Sequence, residues 1–426
     1  MPLEPLSMLL YKLFLFCYPQ IAKLLGLFNP KARLWSIGQQ QVWEEIAEHE
    51  KKLQGQPIIW IHAASYGEFE QGLPIIEAIK LQFPKYKIWL TFFSPSGYLH
   101  RKNDPAVDAV TYLPFDSPTN AKDFIDKVNP TLIVFIKYEF WFHYLSVAKS
   151  KNIPTILASA IFRPDQIFFK WYGGFYRNML GLFTRVLVQS KDDYNLILPI
   201  ITNKKIFITG DTRFDRVVQT AQDEKPISWM QLLSNHKNII AGSTWREDEL
   251  LLSKTTAHFT QLNWIIVPHH VDAKSIEAAL TIHPNAITLT DWENTIAKAP
   301  NQQITPSIII VDRIGILRSL YQYASISYTG GGFTKDGIHN VLEPAAFGNP
   351  VIWGPNDIKF KEAIGLRTAN GGYLIKNEAE LVMHLNELLQ NTNLYEKVGS
   401  HAREYIKTNA GATQKTMNEL VKYLEA

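Results

Sequence analysis

The 426-residue chain has one cysteine, Cys17, which excludes a disulfide framework within one chain and a thiolate zinc site. No Asp-x-Asp triplet occurs to hold a divalent ion against a nucleotide phosphate. The paired histidines His269 and His270 are adjacent and lack the i,i+4 spacing of a helical zinc pair. No metal and no cofactor are therefore expected. A Gly-rich loop ending in Lys-Ser or Lys-Thr is also missing, which argues against an NTPase. No long basic block appears, and with a net charge of +3 and a pI of about 8.6 nucleic acid is not an expected partner. There is no repeat period and no low-complexity tract. What remains is 46% hydrophobic and 19% charged, a balance that can bury large cores. The length suggests two domains, and cysteine usage suggests a reducing compartment for the body.

One long hydrophobic run is present. Residues 8–28 are apolar apart from Lys12, Gln20, Lys23 and a few permissive positions. As a helix they would span roughly 30 Å, enough for a bilayer core. Pro19 and the two lysines fit an in-plane amphipathic anchor equally well, and a buried core helix is the third possibility. A cleaved signal peptide is disfavoured, since there is no basic stretch before the run and no small-residue cleavage site. Lys31 and Arg33 follow the run and no Lys or Arg precedes it, so charge asymmetry puts the body in the cytoplasm.

Along the first half, apolar β-rich runs at 57–63, 86–92, 131–135, 155–159 and 186–189 alternate with helical patterns such as 69–81. Runs this continuously apolar read as strands buried on both faces of a parallel sheet. Their alternation with helices predicts βαβ units and a doubly wound α/β fold. The polar stretch 219–237 reads as an interdomain connection. A second alternating set starts at 238–240 and continues through 264–267, 308–311, 326–328 and 351–353. Helical patterns from Glu378 to Leu424 close the chain.

The segment 328–356, YTGGGFTKDGIHNVLEPAAFGNPVIWGPN, is the most specific part of the sequence. An apolar run stops at Gly330, Gly331 and Gly332. A polar loop follows, then a short helical pattern opened by Asn340, ended at Gly348 and punctuated by Pro350. Glycines allow close backbone approach to a ligand, and a helix N-terminus offers N–H groups to an anion. This strand–turn–helix–strand unit predicts a nucleotide-sugar donor site. From the residues alone, Asn340 with Glu343 three positions on is also a capping-box-like pair.

Motifs in a fixed order resemble those of the 3-deoxy-D-manno-octulosonic acid (Kdo) transferases, glycosyltransferase family 30. They are Gly331-Gly332, His339-Asn340-Val341-Leu342-Glu343-Pro344 and Gly354-Pro355, preceded by Trp60 through Glu68 (WIHAASYGE), Ser94-Pro95-Ser96-Gly97 and Leu113-Pro114-Phe115-Asp116. Glu139-Phe140-Trp141, Thr209 through Asp215 (TGDTRFD), Gly242-Ser243-Thr244 and Pro268-His269-His270 complete the set. The resemblance covers nearly the whole chain. It implies a GT-B-type fold of two doubly wound Rossmann-like domains facing a cleft, with an N-terminal apolar membrane-anchor helix. The implied divisions are an anchor segment (1–35), an acceptor-side domain with the catalytic glutamate (36–218), the connection (219–237), a CMP-sugar donor domain (238–405) and a C-terminal helix (406–426).

The resemblance also implies roles. Glu68 matches the proposed proton acceptor; by itself a glutamate in a first helical turn is also what a helix dipole favours. Glu139 and Arg213 match positions proposed to stabilise the transition state; by themselves they read as a surface carboxylate and as an ion pair with Asp211 or Asp215. Pro268, His269, Ile314, Gly315, Ile316, Asn340, Val341, Leu342 and Glu343 match the CMP-binding set. The chain departs from the family's usual pattern at four places: Arg213 replaces lysine, His269 replaces arginine, Ile316 replaces glutamate and Trp245 replaces histidine. The expected activity is inverting transfer of Kdo from CMP-Kdo to the lipid A precursor, at the cytoplasmic face of the inner membrane. The alternatives are a UDP-sugar transferase or epimerase of the same fold, and a non-catalytic lipid- or sugar-binding relative.

Overall fold

The computed structural model describes residues 4–137, 139–223, 226–233, 235–298 and 307–425. They form two compact α/β units, one from residues 1–216 with 410–426 and one from 217–409. The first unit holds strands β1 (Ile58–Ala63), β2 (Lys87–Phe92), β3 (Ala109–Tyr112), β4 (Pro130–Ile136), β5 (Thr155–Ala160), β6 (Arg185–Val188) and β7 (Ile206–Ile208). They pair in the order β3-β2-β1-β4-β5-β6-β7, every pair parallel. The second holds β8 (Asn238–Thr244), β9 (Asn263–Pro268), β10 (Ile287–Thr288), β11 (Ile308–Ile310), β12 (Ile326–Thr329), β13 (Val351–Trp353) and β14 (Gly372–Leu374). Their order is β10-β11-β9-β8-β12-β13-β14, again all parallel.

Parallel strands covered by helices on both faces must be apolar on both, and β1 shows it: all six residues of IIWIHA are buried. In the second sheet the two-residue period sorts neighbours to opposite cores. Ile239, Ala241, Trp264 and Ile266 fill one face, and Ile240, Ile265, Ile309 and Val311 fill the other. Strand order reverses between β1 and β4 in the first sheet and between β8 and β12 in the second. At such switch points the loops leaving adjacent strands diverge and open a crevice at the carboxyl ends.

Two stretches behave differently from the sequence expectation. The polar stretch 219–237 is not a plain connection. The helix Thr212–Gln222 runs into it, and Trp229, Met230 and Leu233 of the 3-10 turn Ser228–Leu233 are buried in the second unit's core, with Trp229 edge-on to Trp292 at 5.5 Å. Three apolar residues are enough to seat a turn that the surrounding polar average conceals. At the other end, the helix Thr392–Asn409 stays with the second unit, whereas Ala412–Leu424 joins the first. Gly411 makes the turn at φ 99°. Asp215 accepts Thr413 N at 2.6 Å and Thr413 Oγ1 at 2.7 Å, and Met417, Leu420 and Leu424 enter the first core.

The N-terminal run forms helix α1 (Glu4–Leu25), followed by α2 (Pro30–Leu53) with Asn29 as its N-cap. Residues 7–25 have the length and mean hydropathy, 1.3, of a membrane span. One face of α1 docks on the first unit: Ser7, Tyr11 and Ala22 are buried, and Tyr18 stacks on Phe115 at 5.4 Å. The Tyr11 hydroxyl donates to Asp116 at 2.6 Å and accepts Phe142 N at 3.1 Å. Asp116 also accepts His143 N and Tyr144 N, and burial raises its pKa above the ordinary carboxylate value. The opposite face leaves Leu9, Leu13, Phe16 and Leu24 exposed, and Leu27 and Phe28 in the turn that follows are exposed too.

Tyr11→Phe removes a donor from a buried carboxylate and leaves Phe142 N without that acceptor. We expect a loss of about 1–3 kcal/mol of unfolding free energy, read from urea titration of the full chain. An unchanged value would assign the docking of α1 to apolar packing alone.

Candidate functional site

In the first unit the loop after β1 is Ala64-Ser65, and helix α3 (Tyr66–Gln82) starts at once. Ser65 sits at the N-cap position but makes no side-chain bond to the backbone there. Its hydroxyl goes to the Glu68 carboxylate instead, so this pair is not a capping box. Glu68 is 9% exposed, and Lys137 Nζ lies 3.9 Å from its Oε1. The second arm of the switch point, the loop after β4, carries Lys137 and Glu139. The Trp141 indole donates to Glu139 at 2.9 Å, and His62 Nε2 lies 3.5 Å from the same carboxylate. His62 is fully buried and held through Nδ1 by Thr91 Oγ1 at 2.8 Å, which also accepts Trp60 Nε1 at 2.8 Å. The two carboxylates are thus fixed by different supports, a serine and lysine for one, a tryptophan and histidine for the other.

Arg213 follows Gly210, at φ 100°, and lies in the first turn of the helix Thr212–Gln222. Its guanidinium grips Asp211 Oδ2 through Nε at 2.9 Å and Nη2 at 2.7 Å. Of the two acids considered for it, Asp211 is therefore the partner, and Asp215 is engaged with Thr413. Thr212 Oγ1 donates to the Gln71 carbonyl at 2.6 Å, tying the arginine's helix to the helix that carries Glu68.

Backbone conformation marks the same edge. Among the described residues, the non-glycine residues with positive φ are three asparagines, which adopt it readily, and Lys137, Ser159 and Ser243 at 73°, 52° and 55°. Each of those three stands at or next to the carboxyl end of a strand. Outliers of this kind persist where the surroundings enforce them, often at functional sites.

In the second unit strand β12 and its following loop meet the loop after β8 around Asp248. This fully buried carboxylate accepts Tyr328 Oη at 2.7 Å, Trp245 N at 2.9 Å and Gly331 N at 2.8 Å. Burial raises the pKa of Asp248 and takes that of its neighbour Glu249, bonded to Thr244, to about 7. Neither acid was singled out from the sequence; their signal is the pair of carboxylates four and five residues past the strand end, in Thr244-Trp245-Arg246-Glu247-Asp248-Glu249. The glycines also serve differently from expectation. A Cβ on Gly330 would lie 2.4 Å from Ser243 O, and one on Gly332 would lie 2.6 Å from Gly354 backbone. Here glycine lets protein backbone approach protein backbone.

Above this turn stands a ring stack. His269 lies on Trp245 at 4.8 Å and on His339 at 4.5 Å, with His270 edge-on. Trp245 Nε1 donates to His339 Nε2 at 2.8 Å, so the ring proton of neutral His339 is on Nδ1. Burial, reinforced by neighbouring imidazoles, lowers both pKa values, that of His339 to about 4. The two rings are therefore neutral at pH 7.

The remaining expected contacts divide. Asn340 Oδ1 accepts Leu342 N at 3.0 Å, but the helix is only Leu342–Ala346 and Val341 occupies its N-cap. Glu343 pairs with Arg318 Nε at 2.9 Å instead of closing a capping box. Val341 and Leu342 are buried, so only their backbones can face a ligand. Pro268 ends β9, Ile314 is exposed, Gly315 has φ 96°, and Ile316 caps the short helix Leu317–Leu320. Among the described residues no group of three or more His, Cys, Asp or Glu side chains could hold a metal ion. A hollow of about 780 Å³ beside Gln54, Gly55, Lys127 and Asn129 lies at the amino ends of β1 and β4, opposite the carboxylates.

Two Rossmann-like units with these switch-point loops define a GT-B-type α/β protein. A UDP-N-acetylglucosamine 2-epimerase from Neisseria meningitidis, solved with UDP-GlcNAc, has a TM-score of 0.59 over 86% of this chain and 100% of its own, at 16% identity. A glycosyltransferase from Rickettsia africae has 0.55 over 87% and 98%, also at 16%. At such identities the likeness concerns fold alone. Sequence decides the family: residues 40–216 match the 3-deoxy-D-manno-octulosonic-acid transferase (kdotransferase) family. The 3-deoxy-D-manno-octulosonic acid transferase of Aquifex aeolicus is 31% identical over 78% of this chain and 86% of its own length. That of Haemophilus influenzae is 28% identical over 97% of each. The chain belongs to the Kdo transferases, a family of glycosyltransferases.

The low pKa of His339 has a consequence for stability. As pH falls below about 6.5 the unfolded chain binds this proton and the folded one does not until about pH 4, so the group's contribution is complete above pH 6.5 and is lost toward pH 4. Glu249, raised to about 7, acts in the opposite sense. The difference between His339→Gln and wild type isolates the histidine: the variant should gain on wild type in melting temperature between pH 7 and pH 5. A difference constant with pH would count against the assignment.

Proposed function

We propose that this transferase moves Kdo from CMP-Kdo to a hydroxyl of the lipid A precursor, an early step of lipopolysaccharide core assembly, at the cytoplasmic face of the inner membrane. The observation that carries the reading is that the family's motifs flank the switch point of each sheet, Glu68 and Glu139 around one, the Gly330–Gly332 turn and His339–Glu343 around the other.

In this reading Glu68 is the base. It takes the proton of the acceptor hydroxyl as the oxygen attacks the anomeric carbon of Kdo, and the bond to CMP breaks with its electron pair on the phosphate. Attack from the face opposite the leaving group inverts the configuration. Ser65 and Lys137 hold the carboxylate in place for this step. Arg213 and Glu139 stabilise charge as it moves, Arg213 by a fork of donors for the leaving phosphate. Arg213 would then exchange part of its Asp211 pairing for the phosphate. Pro268, His269, the backbone of Ile314 through Ile316, and Asn340 through Glu343 bind CMP. Glu343 is suited to ribose hydroxyls. The neutral ring stack offers CMP an apolar, hydrogen-bonding surface where an arginine would offer charge.

Helix α1 supplies the membrane contact. Its inner face is bonded to the body through Tyr11 and Asp116, so a bilayer can take up only the outer apolar face. That geometry fits a helix lying in the plane of the membrane.

Glu68→Gln should lower transfer by about 10²–10⁴-fold, the usual loss for a general base, with CMP affinity by calorimetry unchanged. A variant keeping more than half the wild-type turnover would remove Glu68 from the mechanism. Transfer should also survive EDTA, because the countercharge is supplied by protein groups. Loss on chelation with recovery on adding Mg²⁺ would show a metal requirement.

A further inference from the structure

The loop 161–173, between β5 and the helix Gly174–Leu182, plays no part in the proposed chemistry, yet it displays two large aromatic rings. Trp171 is 77% exposed and Tyr172 43%, in edge contact at 5.4 Å. The base of the loop is rigid. Phe168 is buried against Phe140 at 4.9 Å and Phe162 at 5.9 Å. Arg177 donates to the carbonyls of Phe168 at 3.0 Å and Lys170 at 2.9 Å. Gly173 closes the turn where a Cβ would lie 1.9 Å from Ile167 O. A rigid loop that holds an indole in solvent gains nothing from its own fold, and exposed aromatic patches mark interaction surfaces.

Position identifies the partner. The helix after the loop packs on α1's docked face, Phe175 lying 5.3 Å from Tyr11 and 5.0 Å from Phe142. The loop leaves the carboxyl end of β5, the edge of the sheet that also carries Glu68 after β1 and Glu139 after β4. Charge agrees with an anionic surface. From Ser7 to Leu34 there are Lys12, Lys23, Lys31 and Arg33 and no acid, and the loop adds Arg163 and Lys170 against Asp165.

We infer that Trp171 and Tyr172 form a second membrane contact, entering the headgroup region of an anionic bilayer beside α1. The inference rests on the in-plane reading of α1 and goes beyond it. One in-plane helix fixes the depth of the body but leaves it free to roll about the helix axis. A second contact off that axis fixes the roll and holds the edge bearing the two carboxylates at the height of a lipid-borne hydroxyl. Tyrosine and tryptophan, apolar rings with one polar atom, suit the interface.

The test uses the full chain and vesicles of phosphatidylethanolamine and phosphatidylglycerol. By co-sedimentation, Trp171→Ala/Tyr172→Ala should lower the partition coefficient roughly tenfold or more, the scale of removing a large apolar side chain from an apolar phase, whereas Trp171→Phe should keep most of it. Leu13→Gln/Phe16→Gln reports on α1 separately. In a Cys17→Ser/Trp171→Cys chain, an environment-sensitive fluorophore at 171 should shift to the blue on these vesicles and not in buffer. Wild-type binding by the double variant, or no spectral shift, overturns the loop contact and leaves α1 standing. No vesicle binding by wild type overturns both. If light scattering shows that the double variant converts a dimer to a monomer, the patch belongs to a second copy of the chain and the inference fails.

Discussion

Parallel pairing throughout both sheets is the constraint on which the rest depends. A parallel sheet needs helices on both faces, so its strands are mostly apolar and both faces are taken up by packing. The carboxyl ends are where polar loops can gather, and the reversal of strand order makes those loops diverge. Glu68, Lys137 and Glu139 stand at one such point, and Trp245, Asp248 and the glycine turn at the other. The position of the chemistry thus follows from the way the strands are covered.

Those loops are held by buried carboxylates. Asp248 collects Tyr328 Oη and two backbone N–H groups, and Asp116 collects Tyr11 Oη and two more. Asp193, also buried, accepts Phe162 N at 2.8 Å, and the half-buried Asp215 binds the returning C-terminal helix. A buried carboxylate is costly without donors. Donors from elsewhere in the chain, Tyr11 with His143 and Tyr144 for Asp116 and Tyr328 with Gly331 for Asp248, offset that cost and make the positions of the joined segments interdependent. The positive φ of Lys137, Ser159 and Ser243 is sustained by this kind of over-determination.

Charge is arranged differently at the two switch points. In the first unit each acid has a cation or ring donor within reach: Lys137 at Glu68, Trp141 and His62 at Glu139, Arg213 at Asp211. In the second, His269 lies against the rings of both Trp245 and His339, uncharged at neutral pH because burial disfavours the imidazolium. Trp245 and His269 therefore belong together: the indole supplies the flat surface on which the imidazole rests.

The sequence by itself determined the fold class, the approximate place of most strands, and the loops that bear the family's motifs. These are local properties: runs of Ile, Val and Trp set the strands, and glycine and polar punctuation set the turns. It did not reveal β3, β7, β10 or β14, which are two to four residues long and lie at the sheet edges, too short for periodicity to register. Nor did it reveal that Trp229, Met230 and Leu233 enter a core, or that Ala412–Leu424 returns to the first unit, because each depends on a partner far away in the chain. Only the tertiary structure decided that the glycines 330–332 accommodate backbone, that Glu343 turns to Arg318 and not to its own helix end, that Asp248 joins the β8 loop to β12 and its turn, and that Trp171 stands in solvent. Composition and spacing state what a side chain can do; which of those options it takes depends on the groups that folding brings within about 3–4 Å of it.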